Sequence, residues 1–205
     1  DFIYLASQSP RRQELLKQIG VRFEMLLPAP GEDAESIEIP LPQEKARDYV
    51  KRVTLAKASI ALARWRKSGL PWAPILCADT TVSLPNSENG EILGKPIDAN
   101  DAYRILEMLS GKTHEVLTAI ALINNPEDAP NCVVQISEVE FANLSLEQIN
   151  TYIASQEPFG KAGAYGIQGS AGAFISKING SYSGIMGLPL YETAQLLERA
   201  RITRI

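Results

Sequence analysis

Phe2-Ile3-Tyr4-Leu5-Ala6-Ser7-Gln8-Ser9-Pro10-Arg11-Arg12 begins as an apolar run and turns abruptly polar. Phe2–Ala6 has the composition of a short buried strand. Ser9 stands where a helix N-cap belongs, with Pro10 at the first helical position. The helix runs to about Ile19, and Gly20 closes it. A buried strand feeding straight into a helix points to an α/β fold.

The same stretch carries a first functional signal. A helix N-terminus presents unpaired N–H groups and a partial positive charge, which favours acids. Arg11 and Arg12 occupy that turn instead, and such a local conflict often marks function. An anion gripped by Ser7, Ser9, Arg11 and Arg12 would resolve it, because backbone N–H groups and guanidinium forks both suit phosphate. The alternative turns both arginines to solvent, paired with Glu14 or an acidic loop.

Working outward, Val21–Leu27 reads as a second strand. Residues 28–42 hold four prolines and the acids Glu32, Asp33, Glu35 and Glu38, and read as a mobile loop. Gln43 to about Lys67 has helical spacing of Ala46, Tyr49, Val50, Val53, Ala56, Ile60 and Ala63. Ile75–Leu84 is a strand, Pro85–Gly90 a turn and Glu91–Leu93 a returning strand. Asp98 caps a helix to about Leu109. His114–Ile123 and Cys132–Phe141 are long strands. Ser145 and Gln148 form a capping box over a helix to about Ser155. A glycine-dense loop fills 156–172. Asn179-Gly180 predicts a hairpin between Ala173–Ile178 and Ser181–Met186. A last helix spans about Pro189 to Arg201. These elements predict one α/β domain over 1–205, with a mixed, partly antiparallel sheet flanked by helices.

Composition narrows the function. The chain has 205 residues, 45% hydrophobic and 21% charged, as a globular protein does. No apolar run reaches bilayer length and the first residues lack a signal-peptide pattern, so a membrane partner is not expected. Two cysteines, Cys77 and Cys132, rule out a disulfide framework and fit a reducing cytoplasm. The single histidine, His114, excludes a His-rich zinc site. A net charge of −4 disfavours a nucleic acid polymer.

Other candidates follow from residue type and place. Asp79 lies in the apolar run Ile75–Leu84, where a carboxylate is costly unless paired or metal-bound. Strand alternation puts it on one face with Cys77 and Thr81, and Thr80 on the other. The alternative is an exposed acid in a turn. Lys57 sits at the edge of the helical apolar stripe, where a snorkelling lysine is the plainer account. Lys95 follows Gly94 in a rigid turn and says little alone. Gly160–Gly169 has a glycine at every third position, which allows close backbone approach to a ligand or makes a merely flexible loop. Gln168 within it could pair with a base edge.

Taken in order, these segments resemble the Maf family of nucleotide pyrophosphatases. The markers are Leu5–Arg12, Arg52, Lys57-Ala58, Ala78-Asp79-Thr80, Gly94-Lys95-Pro96, Leu109–His114, Lys161–Gly169, Asn179–Tyr182 and Gly187-Leu188-Pro189. The resemblance implies two lobes around a nucleotide cleft, of the Maf and inosine-triphosphatase type. It implies hydrolysis of a nucleoside triphosphate to the monophosphate and pyrophosphate with a divalent cation, Mg or Mn. Asp79 would be the catalytic carboxylate, with Lys57 and Lys95 on the phosphate side. Glu32 would join Asp79 at the metal, although the loop after it looks longer than in the family. Arg11, Thr80 and Gln168 match positions tied to substrate choice. Members acting on 7-methyl-GTP carry Trp after Ser-Pro and Glu at the Gln168 position, so this chain resembles the dTTP/UTP branch. A homodimer is implied in the same way. The alternatives are 7-methyl-GTP or another modified nucleotide as substrate, and a non-catalytic inhibitor of septum formation.

Overall fold

The computed structural model describes residues 1–28, 32, 36–85 and 91–202. The elements, in order, are β1 (Ile3–Leu5), α1 (Pro10–Gln18), β2 (Phe23–Met25), a 3₁₀ turn (Ser36–Glu38) and α2 (Ala46–Ser68). Then come β3 (Ile75–Leu84), β4 (Glu91–Leu93), α3 (Ala99–Leu109), β5 (Thr113–Ile123) and β6 (Asn131–Phe141). The chain ends with α4 (Leu146–Ala154), β7 (Ile175–Asn179), α5 (Tyr182–Met186) and α6 (Leu190–Arg199). All but Pro85 of the turn expected at Pro85–Gly90, and part of the loop 28–42, fall outside the described residues.

Among the described residues one sheet of seven strands runs β2-β1-β3-β5-β6-β7, with β4 paired to β3. β1 lies parallel to β2 and β3, and the remaining pairs are antiparallel. This is the mixed sheet flanked by helices that the element order implies. The helices take opposite faces because the strands alternate. Leu76 and Ala78 of β3 pack with Leu15, Leu16, Leu196 and Leu197 of α1 and α6. Ile75 and Cys77 pack on the other face with Ala58 and Ala61 of α2. Each such fully buried leucine contributes roughly 1.5–3 kcal/mol. A third cluster joins Leu106 and Leu109 of α3 to Phe141, Tyr152, Tyr165 and Phe174 at the far half of β3. β3 therefore runs from two of these clusters into the third.

Local signals set most boundaries. Asp98 accepts the Asp101 N–H at 2.8 Å, and both halves of the Ser145–Gln148 capping box form. Both cysteines are free, and burial pushes the Cys77 thiol up to about 12. No helix of the described residues is long and apolar enough to cross a membrane.

The predicted hairpin around Asn179-Gly180 does not form. Ser181–Met186 is not a strand; Tyr182–Met186 is the short helix α5. Ser181 caps it by accepting the Gly184 N–H at 2.9 Å. Two glycines and two serines between 180 and 184 give a strand little to pack, whereas Ser181 suits an N-cap. Gly180 instead permits close packing on β6, since a Cβ there would lie 2.5 Å from Ser137 Oγ.

Candidate active site

The midpoint of β3 sends Asp79 to one face and Thr80 to the other, as alternation requires. Asp79, only 8% exposed, meets α2. Lys57 Nζ donates to Asp79 Oδ1 at 2.6 Å and to Glu38 Oε1 at 2.7 Å. Lys95 Nζ reaches the other Glu38 oxygen at 2.9 Å. Two carboxylates and two lysines thus form one chain of ion pairs. Lys57, which looked like a snorkelling side chain, bridges both acids.

Glu38 is held from behind by α2. Tyr49 donates its hydroxyl to the Glu38 carbonyl at 2.7 Å. Arg52 donates to the carbonyls of Ile37 at 3.2 Å and Ile39 at 3.0 Å, and is itself gripped by Glu44 at 2.6 and 2.8 Å. Arg52 therefore shapes the turn that presents Glu38. Burial raises the Glu38 carboxyl, but Lys57 and Lys95 outweigh it and hold the group below its ordinary value.

Thr80 faces α1 and α5. Arg12 spreads its guanidinium over three neutral oxygens: Gly187 O at 2.8 Å, Ser7 Oγ at 3.0 Å and Thr80 Oγ1 at 3.3 Å. Arg11 donates to the Met186 carbonyl at 3.1 Å. Both guanidinium pKa values are lowered by burial, with Glu14 opposing at Arg11 and Asp79 opposing at Arg12. They remain charged. The arginines thus turn inward across the molecule rather than to solvent. Ser9 takes N-cap backbone geometry without a side-chain cap bond, and Ser7 Oγ accepts the Ser9 N–H at 3.3 Å.

The glycine loop closes the far side. Gly163 has φ +69° and lies so near β3 that a Cβ would sit 2.7 Å from Val82. A Cβ at Gly166 would press on the Lys161 stem at 3.2 Å. Lys161 donates to the Glu157 carbonyl, and its pKa is lowered by burial and by Arg11. Tyr165 rests on His114, with 2.7 Å between its hydroxyl and Nε2. His114 is wholly buried, which pushes its pKa down to about 4.

These walls enclose a cleft of about 450 Å³. Of the residues singled out from sequence, Ser7, Ser9, Arg11, Arg12, Lys57, Asp79, Thr80 and Lys95 all line it. Gln168 is exposed and Glu32 lies apart, engaged through both oxygens by Arg64. Glu38, Arg64 and Lys161 line the cleft without having been singled out. Glu38 left only a weak trace, as the last acid of the proline-rich loop, eleven residues before Tyr49. Among the described residues no three His, Cys, Asp or Glu side chains gather in a manner that could hold a metal.

Three comparisons bear on this arrangement. The backbone is similar to that of the Staphylococcus aureus Ham1 protein, with a TM-score of 0.51, 12% identity, and coverage of 98% of this chain and 100% of that one. At that identity the likeness shows the fold alone. The sequence is 58% identical over 201 residues to the dTTP/UTP pyrophosphatase of Ralstonia nicotianae, covering 98% of this chain and 95% of that protein. It is 57% identical over 200 residues to the dTTP/UTP pyrophosphatase of Burkholderia orbicola, covering 98% and 93%. Residues 2–200 match the family described as Maf-like protein. With nearly its whole length accounted for in this way, the chain belongs to the Maf family.

Proposed function

We propose that the protein hydrolyses dTTP and UTP to the nucleoside monophosphate and pyrophosphate. The observation that carries this is the meeting, at Asp79-Thr80, of a carboxylate-lysine wall and an arginine wall in one cleft. The names of the relatives support the choice of nucleotide.

The chemistry follows from the two walls. Water attacks the α-phosphorus, a new P–O bond forms, and the bond to the pyrophosphate oxygen breaks. Asp79 is placed to orient that water and accept its proton. Lys57 and Lys95 turn from Glu38 and Asp79 toward phosphoryl oxygens, and Arg11 and Arg12 offset the charge that gathers on the leaving pyrophosphate. Water is limited at the reacting centre because Asp79 is nearly buried.

Asp79 and Glu38 fit a hard divalent cation such as Mg²⁺ or Mn²⁺. One cation, the Lys57 ammonium, already lies within 2.7 Å of an oxygen from each. When bound, such an ion would polarise phosphoryl oxygens and lower the pKa of a coordinated water. We place Glu38 in this role ahead of Glu32, whose two oxygens face Arg64.

A panel of nucleoside triphosphates, assayed for pyrophosphate release with Mg²⁺ or Mn²⁺, tests the proposal. Preferred turnover of dTTP and UTP is expected. A preference for 7-methyl-GTP or another purine would move the chain to a different specificity, and no turnover on any nucleotide would favour a binding protein. A cytoplasmic homodimer completes the proposal, and light scattering of the purified chain checks the dimer.

A further inference from the structure

A buried hydroxyl relay runs behind Thr80. Thr118 of β5 is fully buried and faces Thr80 across the β3–β5 pair. Its Oγ1 lies 2.7 Å from the Gly184 carbonyl, which can only accept, so Thr118 must donate there. A threonine hydroxyl has one proton. The 2.9 Å contact between Thr118 and Thr80 is therefore donated by Thr80. Arg12 Nη2 then donates to Thr80 at 3.3 Å. Each bond in the relay fixes the direction of the next. Thr80, half-buried at the cleft wall, has its proton committed inward and one oxygen lone pair left over.

We infer that Thr118 is a positioning residue for substrate choice: it holds Thr80 as a hydrogen-bond acceptor, so the nucleotide must meet Thr80 with a donor. The inference rests on the nucleotide reading above. A phosphate oxygen without a proton would be repelled at this point. The donors of a uracil or thymine nucleotide are the base N3–H and the sugar hydroxyls, whereas cytosine carries its base donor on the 4-amino group instead of N3. Cytosine presents an unprotonated N3 and would face the Thr80 lone pair with its own. Without Thr118 Oγ1, the Thr80 hydroxyl is free to turn its proton into the cleft and serve as donor instead.

The test compares wild type, Thr118→Val and Thr118→Ser. Valine keeps the shape and removes the hydroxyl, and serine restores it. kcat and KM are measured for UTP, CTP, 3-methyl-UTP and 3′-deoxy-UTP, and Kd for the corresponding monophosphates by calorimetry. Wild type is expected to favour UTP over CTP, and Thr118→Val to shrink that ratio by about 10-fold, chiefly in KM and Kd. Serine recovers most of the ratio. If N3–H is the donor, 3-methyl-UTP behaves like CTP. If a sugar hydroxyl is the donor, 3′-deoxy-UTP shows the loss instead. A Thr118→Val variant that lowers all four nucleotides equally, or changes none, overturns the inference. Absent turnover with intact binding would overturn the pyrophosphatase reading alone, because the Kd ratios still judge Thr118.

Discussion

The two walls of the cleft hold their cations in opposite ways. On the α2 side Lys57 and Lys95 are neutralised by Asp79 and Glu38. On the α1 side the guanidinium of Arg12 is held entirely by a carbonyl and two hydroxyls, and Arg11 by a carbonyl. Ion pairs between mobile side chains can exchange when an anion or a metal arrives. A guanidinium fixed by neutral oxygens is already aimed and keeps its charge for the ligand. The first wall is suited to rearranging during chemistry, and the second to binding before it.

Removing the carboxylate from the first wall should break that division most sharply. Asp79→Asn keeps size and hydrogen bonding but cannot take a proton. Pyrophosphate release is expected to fall by roughly 10²–10⁴-fold, while nucleotide affinity, measured by calorimetry, changes only a few-fold. Full turnover in this variant would dismiss Asp79 as the base. A parallel collapse of affinity would mean that the two walls do not divide the work.

Acid should separate the walls from the floor beneath them. His114 has a folded pKa of about 4, below its unfolded value of about 6.5. Its stabilisation is complete above pH 6.5 and is lost as pH falls toward 4, about 3 kcal/mol in all. Glu38 is also depressed, so its contribution is present above its ordinary 4.5 and fades only below it. Denaturant unfolding between pH 7 and 4.5 should therefore weaken steadily in wild type. His114→Gln, which keeps a partner for Tyr165, should flatten that slope. A slope unchanged in the variant would place the acid sensitivity elsewhere.

Preorganisation of the second wall is a claim about geometry, not charge, and Arg12→Lys isolates it. Lysine keeps the charge but cannot span Ser7, Thr80 and Gly187 together. Stability should drop by about 1–3 kcal/mol in thermal or chemical unfolding, and pyrophosphate should bind about 10-fold more weakly. Unchanged binding would show that the charge alone suffices.

The first wall was the harder one to read from sequence, and the reason is physical. Ser7, Arg11 and Arg12 sit beside the strand and helix start that place them, and alternation along Ile75–Leu84 deals Asp79 and Thr80 to their faces. Local rules reach that far. Lys57 gains meaning only once α2 packs on β3, and Ser181–Met186 lost its expected strand to a cap and to packing on β6. Gln168 stands in the glycine loop but faces out, while Lys161 in the same loop faces in. No period governs a loop, so sequence alone could not choose between them.

The acidic loop poses that problem most clearly, with Glu32 and Glu38 six residues apart. The family resemblance pointed to Glu32. Tyr49 and Arg52, however, grip the loop from its other end, and that grip delivers Glu38 to Lys57. A paired substitution weighs the two. Glu38→Gln removes a carboxylate that bridges two lysines, and turnover is expected to fall about 10-fold, with a higher Mg²⁺ or Mn²⁺ requirement. Glu32→Gln should cost less than about 3-fold in turnover and instead loosen the Arg64 anchor, read as a lower melting temperature. The reverse pattern would return the metal-side role to Glu32. Equal losses would mean that the whole loop, rather than one of its carboxylates, completes the carboxylate wall.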